Sequence, residues 1–192
     1  MPEPSGPSLP AILARRLVSS ATSAGVTVAT AESLTAGDIA STIAGVPGAS
    51  AVLRGGLVVY ATDLKATLAG VDESLLSAQG AVDPDVARAL ARGAASRCGA
   101  DIGLGVTGVA GPDRQDGHPV GEVYIAVWSA PRHGEEAIDH VVSLGDAELS
   151  SSRQQGQDQR GAIRSATTAR ALSLAVDAVD ALDALTAVAD DD

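Results

Sequence analysis

The pattern of hydrophobic and polar positions predicts helices and strands that alternate along the chain. Behind Ser8, leucine, isoleucine and valine recur at helical spacing, and Gly25 can end this first helix. Thr62 or Asp63 is expected to cap the third helix, and Asp83 the fifth. The expected helices span residues 9–25, a segment from the 30–37 motif to about 45, 62–68, 73–79 and 84–98, and the expected strands span residues 26–30, 57–60 and 101–106.

The C-terminal half adds a hairpin and a long closing helix. Residues 122–128 and 136–143 are predicted to pair as antiparallel strands, because the turn-forming sequence P-R-H-G separates them. The Gln/Ser-rich segment 145–161 has no apolar periodicity and is expected to be a mobile polar loop insertion. Apolar spacing over residues 162–188 predicts an amphipathic helix, which the acidic tail 189–192 follows.

This order of elements predicts one domain of the α/β class, a three-layer α/β/α sandwich around a mixed sheet. With 192 residues, of which 45% are hydrophobic, the chain is long enough for one sizeable core. Its aromatic residues are two Tyr, one Trp and no Phe, so aliphatic side chains must fill that core. Residues 1–8 are rich in Pro, Ser and Gly and are expected to form a disordered lead, which leaves residues 9–188 for the domain.

Charge and composition disfavour two classes of partner. The net charge of −11 opposes binding to nucleic acid, and the scarcity of aromatic residues removes the platforms on which bases stack. No apolar run approaches the roughly 18 residues that span a bilayer, and no export signal is visible. The lone Cys98 fits a reducing compartment. We therefore expect a cytoplasmic protein without nucleic-acid or membrane partners, and the small aromatic-poor core favours a homo-oligomer.

The glycine-rich segment 103–108 matches the dinucleotide fingerprint G-x-G-x-x-G only in form. The fingerprint needs a helix directly after its glycines, whereas here the sequence continues as a loop. We interpret the segment as a loop at the carboxyl end of a strand, where main-chain N–H groups can approach a ligand. A tight turn that needs glycine for positive φ is the alternative.

Lys65 is the only lysine, and the other 12 basic residues are arginine. A retained lysine indicates a role that arginine cannot fill, and a neutral lysine can deprotonate a serine if its pKa is lowered. Ser33 lies where a strand turns into a helix, a geometry that suits a nucleophile. The alternatives are a solvated helix residue for Lys65 and an N-cap for Ser33. None of the histidines, His118, His133 and His140, belongs to a recognisable catalytic or metal-binding pattern, and solvated positions are expected for them.

Three segments together resemble one family. In order and spacing, T-A-E-S-L-T-A-G at 30–37, Y-A-T-D-L-K at 60–65, and V-T-G-V-A-G-P at 106–112 with P-V-G at 119–121 are similar to the C-terminal domain of the competence/damage-inducible CinA family. The resemblance covers residues 9–188. Stand-alone members of the family are amidohydrolases that convert nicotinamide mononucleotide to nicotinate mononucleotide and ammonia. Larger members carry an additional N-terminal domain that is missing here, which favours the stand-alone type.

The resemblance implies a role for each matching residue. Ser33 would be the nucleophile, Lys65 its base, and Tyr60 part of the proton relay or a group that orients the lysine. The nucleotide site would be lined by hydroxyl and main-chain donors of Thr107, Gly108 and Gly111. No metal or organic cofactor is implied. A catalytically silent nucleotide-binding or regulatory domain of the same fold is the alternative function.

The chain also departs from the family pattern. The usual cysteine and second glycine of the first motif are Leu34 and Ala36, and the G-G after G-P-D is replaced by Arg114-Gln115. These changes are expected to affect substrate fit more than chemistry. The family's G-D-R arginine, which opens the last helix, is displaced by the polar insertion. Its candidates here are Arg153, Arg160 and Arg164.

Overall fold

The structure, a computed structural model, describes residues 6–131, 137–145 and 158–189, with side chains as far as residue 184. The predictions that lie outside the described residues concern residues 1–5 of the lead, the hairpin turn with His133 at 132–136, the insertion with Arg153 at 146–157, and the tail at 190–192.

Within the described residues the chain forms six α-helices, one short 3-10 helix (Ala49–Ala51) and five strands. The helices are α1 (Leu9–Ala24), α2 (Asp38–Ala44), α3 (Thr62–Thr67), α4 (Glu73–Gln79), α5 (Pro84–Cys98) and α6 (Gln159–Ala189). The strands are β1 (Val28–Glu32), β2 (Leu53–Val58), β3 (Ile102–Gly108), β4 (Val123–Ser129) and β5 (Asp139–Ser143). No helix of the described part combines the length and the apolar composition needed to cross a membrane.

The strands form one mixed sheet in the order β2-β1-β3-β4-β5. β1 is parallel to both β2 and β3, whereas β4 is antiparallel to both β3 and β5. α5 packs on one face of the sheet, and α6 packs on the other with α1 beside it. The predicted three-layer α/β fold with a mixed sheet is therefore confirmed, and its core is aliphatic as expected.

The ends of α1 and α5 follow the sequence signals. Gly25 ends α1 in the left-handed conformation (φ 63°), and Gly99 ends α5 in the same way (φ 62°). Asp83 caps α5, because its carboxylate accepts hydrogen bonds from the N–H groups of Asp85 and Val86. The cap predicted for α3 is wrong. Its N-cap is Ala61, with no side-chain cap, and the two predicted capping residues lie inside the first turn.

Other boundaries differ from the prediction. β1 is displaced by two residues toward the C-terminus, and β2 begins at Leu53, four residues earlier than expected. The glycine pair Gly55-Gly56, which disfavours a strand in sequence terms, lies inside β2. A Cβ added at Gly56 would lie 2.8 Å from Thr30 Oγ1 and 2.9 Å from Ala40 Cβ, so close packing excludes a side chain there. α6 begins three residues early, where Asp158 accepts a hydrogen bond from the N–H of Gly161 (2.6 Å).

The glycine-rich segment 103–108 lies within β3, so the strand predicted over 101–106 is observed and continues to Gly108, whereas the interpretation of the whole segment as a loop is wrong. Gly103 and Gly105 lie within β3, beneath α5. A Cβ on Gly103 would lie 1.9 Å from Ala91 O, and one on Gly105 would lie 2.3 Å from Ala87 O. These two glycines therefore let the helix backbone approach the sheet and do not form a ligand loop.

Candidate active site

The segment between β1 and α2 is held by a buried carboxylate. Glu32, the last residue of β1, is 1% exposed and accepts a hydrogen bond from the hydroxyl of Thr30 (3.0 Å). It also accepts hydrogen bonds at 2.9–3.1 Å from the N–H groups of Gly37, Ile39 and Ala40. Because Gly37 is the N-cap of α2, Ser33 is not a capping residue. The sequence motifs alone did not indicate this role of Glu32, although an acidic residue next to a helix start is the signal that could have indicated it.

Ser33 lies in the turn that follows Glu32, with its side chain almost fully buried. Its N–H donates to Val106 O on the neighbouring strand β3 (3.1 Å). On the other side, Arg164 of α6 donates from Nε to Leu34 O (3.1 Å) and from Nη2 to Thr35 O (2.8 Å). The turn that carries Ser33 is thus fixed by both the sheet and the closing helix.

Lys65 is buried beside this serine. Its side chain is 1% exposed, and its Nζ lies 3.2 Å from Ser33 Oγ, 3.0 Å from Val59 O and 3.4 Å from Tyr60 O. A neutral amine has two N–H groups, which can donate to the two carbonyl oxygens, and one lone pair, which can accept the serine proton. Burial lowers the pKa of Lys65 from 10.5 to about 8, against an opposing effect of nearby Asp63. The predicted surface alternative for Lys65 is therefore wrong.

Tyr60 contacts the lysine through its main-chain oxygen, whereas its phenol points away to a different partner. The side chain is 54% exposed, and its hydroxyl accepts a hydrogen bond from Arg160 Nη2 (2.9 Å). Nη1 of the same arginine donates to Gly111 O (2.5 Å). Arg160 therefore ties the phenol of Tyr60 to the loop after β3. Arg160 could not be assigned to this position from the sequence. The polar insertion changes the spacing between the family's G-D motif and its arginine, so spacing does not identify which arginine corresponds to it.

The predicted nucleotide-binding residues lie at and beyond the end of β3. The buried Thr107 hydroxyl donates to Ala81 O (2.5 Å), which leaves only its lone pairs for a ligand. Gly108 (φ 152°) and Gly111 (φ 86°) have positive φ. A Cβ on Gly108 would lie 2.5 Å from Glu122 O, so the chain can turn here only with glycine.

All six predicted site residues line one cleft of about 320 Å³. They are Ser33, Tyr60, Lys65, Thr107, Gly108 and Gly111. Four charged side chains line the cleft, and they are Lys65, Asp113, Arg114 and Arg160. A larger surface concavity of about 560 Å³ lies beside α1, but the serine and lysine that touch each other are in the smaller cleft.

Two of the histidines can be located in the structure, and neither contacts Ser33. His118 is partly buried, with Nδ1 2.8 Å from Glu122 Oε1, and Tyr124 donates to the same carboxylate oxygen. Burial and the hydrogen bond to Glu122 raise the pKa of Tyr124. His140 is exposed on β5, as expected. Within the described residues, the lysine is therefore the basic side chain placed to act on the serine.

Comparison with known proteins identifies relatives along most of the chain. The family model of the CinA C-terminal domain matches residues 11–179. A CinA-like protein of Frankia casuarinae is 54% identical over 101 residues, which are 53% of this chain and 23% of that protein. A putative competence-damage inducible protein of Geobacillus kaustophilus is 48% identical over 120 residues, 62% of this chain and 28% of that protein. The chain thus spans about a quarter of the length of these curated relatives.

A solved structure matches nearly the whole chain. The crystal structure of competence/damage inducible protein CihA from Agrobacterium tumefaciens superposes with a TM-score of 0.76 and 33% sequence identity. The match covers 92% of this chain and 99% of that chain. Both the sequence match and the fold therefore identify the same group of proteins.

Proposed function

This chain belongs to the CinA C-terminal domain family, and from that membership we propose that it hydrolyses the carboxamide of nicotinamide mononucleotide to nicotinate mononucleotide and ammonia. The observation that carries the proposal is the contact between Lys65 Nζ and Ser33 Oγ at 3.2 Å in a cleft. A buried amine whose pKa is about 8 is neutral in roughly a tenth of molecules at pH 7, whereas an ordinary lysine with a pKa of 10.5 is neutral in about one molecule in three thousand.

The first half of the reaction forms an acyl-enzyme. Lys65 accepts the proton of the Ser33 hydroxyl as Oγ bonds to the carboxamide carbon, and the carbonyl electrons move to oxygen. The lysine ammonium then gives its proton to the leaving nitrogen as the C–N bond breaks. Ammonia departs, and the acyl group remains as an ester on Ser33.

The second half uses water in the same way. Lys65 accepts a proton from water, whose oxygen attacks the ester carbon, and returns the proton to Ser33 Oγ as the C–O bond breaks. The products are the carboxylate and free enzyme. The sum is one amide and one water converted to one carboxylate and one ammonium ion.

A main-chain donor is available for the developing oxyanion. Leu34 lines the cleft directly after the nucleophile, and its N–H has no acceptor within the described residues. The N–H that follows the nucleophile is one of the two oxyanion donors in α/β-hydrolases. Removal of one such donor costs about 10²–10³ in kcat in serine hydrolases. We assign Leu34 N–H this role.

Replacement of Ser33 tests the proposal. Purified wild-type protein should release ammonia from nicotinamide mononucleotide, and Ser33→Ala should abolish this release while it still binds the nucleotide and folds. Ser96→Ala, an exposed serine on α5, is the matched control and should retain full activity. Ammonia release by Ser33→Ala would exclude the mechanism. Nucleotide binding without ammonia release by the wild type would favour the silent nucleotide-binding domain.

We expect the enzyme to work in the cytoplasm, where the free Cys98 stays reduced, and to form a homo-oligomer. Light scattering coupled to size-exclusion chromatography should then give a mass of at least twice the 19.0 kDa of one chain.

A further inference from the structure

The cleft at Ser33 carries an excess of positive charge in an acidic protein. Its lining contains Lys65, Arg114 and Arg160 against one carboxylate, Asp113, whereas the whole chain has a net charge of −11. In the described residues, neither arginine of the cleft pairs with a carboxylate. Unneutralised arginines at a cleft wall favour a ligand that is an anion.

Arg114 is held at the cleft wall by a small hairpin of the loop after β3. Gln115 and His118 exchange N–H···O hydrogen bonds of 3.2 and 2.8 Å. Between them, Asp116 (φ 50°) and Gly117 (φ 88°) both have positive φ, as in a type I′ turn. Arg114 Nη2 donates to Gly117 O (2.7 Å). One of its five N–H donors is thus used to fix the guanidinium, and the others remain for a ligand.

The other two cations of the cleft already make more contacts than Arg114 and have fewer unused donors. Arg160 donates to Gly111 O and to the Tyr60 hydroxyl, so it also shapes the wall of the cleft. Lys65 is buried against Ser33 and two carbonyl oxygens. Arg114 is exposed and carries the larger share of unused donors, so it is the side chain best able to bind a charged group from solvent.

We propose that Arg114 is a specificity-determining residue, which binds the phosphate monoester of a nucleotide or sugar phosphate in the cleft, with Arg160 as a second donor. The planar guanidinium presents paired N–H groups that match two oxygens of one phosphate. The identity of the rest of the ligand rests on the proposed function. Arg114 selects phosphorylated over unphosphorylated ligands and takes no part in the chemical step.

Kinetics on two substrates test this selectivity. Arg114→Gln should raise KM for nicotinamide mononucleotide about 10-fold to 100-fold or more with kcat nearly unchanged, because hydrogen bonds to a charged group are lost. KM for nicotinamide riboside, which lacks the phosphate, should not change. Arg54→Gln is the matched control, because exposed Arg54 also donates to a main-chain oxygen, Cys98 O, and lies outside the cleft. An Arg114→Gln variant with wild-type KM for the mononucleotide would overturn the proposal.

A binding experiment separates this proposal from the proposed function. Calorimetry with ribose 5-phosphate requires no amide and no turnover, and the affinity should fall about 10-fold or more in Arg114→Gln but not in Arg54→Gln. If that holds while the wild type releases no ammonia, the phosphate site stands and the amidohydrolase function fails. Equal binding of ribose 5-phosphate by wild type and Arg114→Gln would overturn the phosphate site.

Discussion

At the scale of single residues, the most informative side chain is Lys65, the only lysine in a chain whose other 12 basic residues are arginine. Lys65 has three polar contacts, and a neutral amine can satisfy all of them with two donors and one lone pair. A guanidinium has no lone pair and stays protonated at any pH at which the protein folds. Under the proposed mechanism, lysine at this position accepts the serine proton, a role that arginine cannot fill.

The corresponding prediction is that Lys65→Arg loses ammonia release by at least about 100-fold, since general-base catalysis contributes about 10²–10⁴-fold. Wild-type kcat/KM should rise with pH along a limb centred near pH 8, because burial lowers the pKa of Lys65 to about 8 and the neutral form is the base. As a control, Arg54→Lys makes the reverse exchange at an exposed position outside the cleft. It should change neither the rate of ammonia release nor the pH dependence of kcat/KM. Near-normal turnover by Lys65→Arg with an unchanged pH limb would remove the lysine from the mechanism.

Ala36, one of the departures from the family pattern, lies in the left-handed region with φ 53°. An L-residue there costs about 1–2 kcal/mol, whereas glycine avoids that cost. Ala36→Gly should therefore raise the free energy of unfolding by about 1 kcal/mol in urea denaturation. Ala78→Gly, exposed in α4, should lower it by about 1 kcal/mol. Equal effects of the two substitutions would contradict this account.

At the scale of secondary-structure elements, the packing of α5 on β3 depends on glycine. A side chain at Gly103 would collide with the main chain of α5, and main-chain atoms cannot move aside as the end of a flexible side chain can. Gly103→Ala should therefore cost about 3 kcal/mol or more of unfolding free energy, or prevent folding. Gly45→Ala is the control, because its Cβ would lie 3.5 Å from Thr42 O and φ is −69°. Urea denaturation of both variants measures the difference, and a tolerated Gly103→Ala would disprove the packing constraint.

The elements show which features the sequence could predict. Helices with capping and C-terminal glycine signals, such as α1 and α5, were predicted to within a residue because those signals are local. The predicted β2 begins too late because two consecutive glycines, Gly55-Gly56, disfavour a strand. Close packing against neighbouring elements requires glycine there, and the local sequence does not show that packing. Within the site, composition and the motifs predicted that Lys65 and Ser33 act together. Arg160 could not be assigned, because its contacts join residues about 50 and 100 positions apart.

At the scale of the whole molecule, the topology brings the three motifs together. β2, β1 and β3 are adjacent and parallel, so their carboxyl ends meet at one edge of the sheet. Ser33 follows β1, Tyr60 and Lys65 follow β2, and Thr107 lies at the end of β3. α6, from the other end of the chain, closes this edge with Arg160 and Arg164. Segments more than 70 residues apart thus form one site without a long-range sequence signal.

The stability of the whole molecule at alkaline pH should depend on Lys65, because the chain has no other lysine. The pKa of this amine is about 8 in the folded protein and 10.5 in the unfolded chain, so the unfolded chain binds more protons between these pH values. The contribution of Lys65 to stability therefore rises as pH increases through this window, by about 2–3 kcal/mol from pH 7 to pH 10.

In Lys65→Met this contribution is absent, whereas the titrations of tyrosine and cysteine are common to both proteins and cancel. Urea denaturation measures the unfolding free energy of both proteins. The value for the wild type minus the value for Lys65→Met should increase by about 2–3 kcal/mol from pH 7 to pH 10. A difference that stays constant with pH would mean that the amine keeps an ordinary pKa and that protons on Lys65 do not couple to folding.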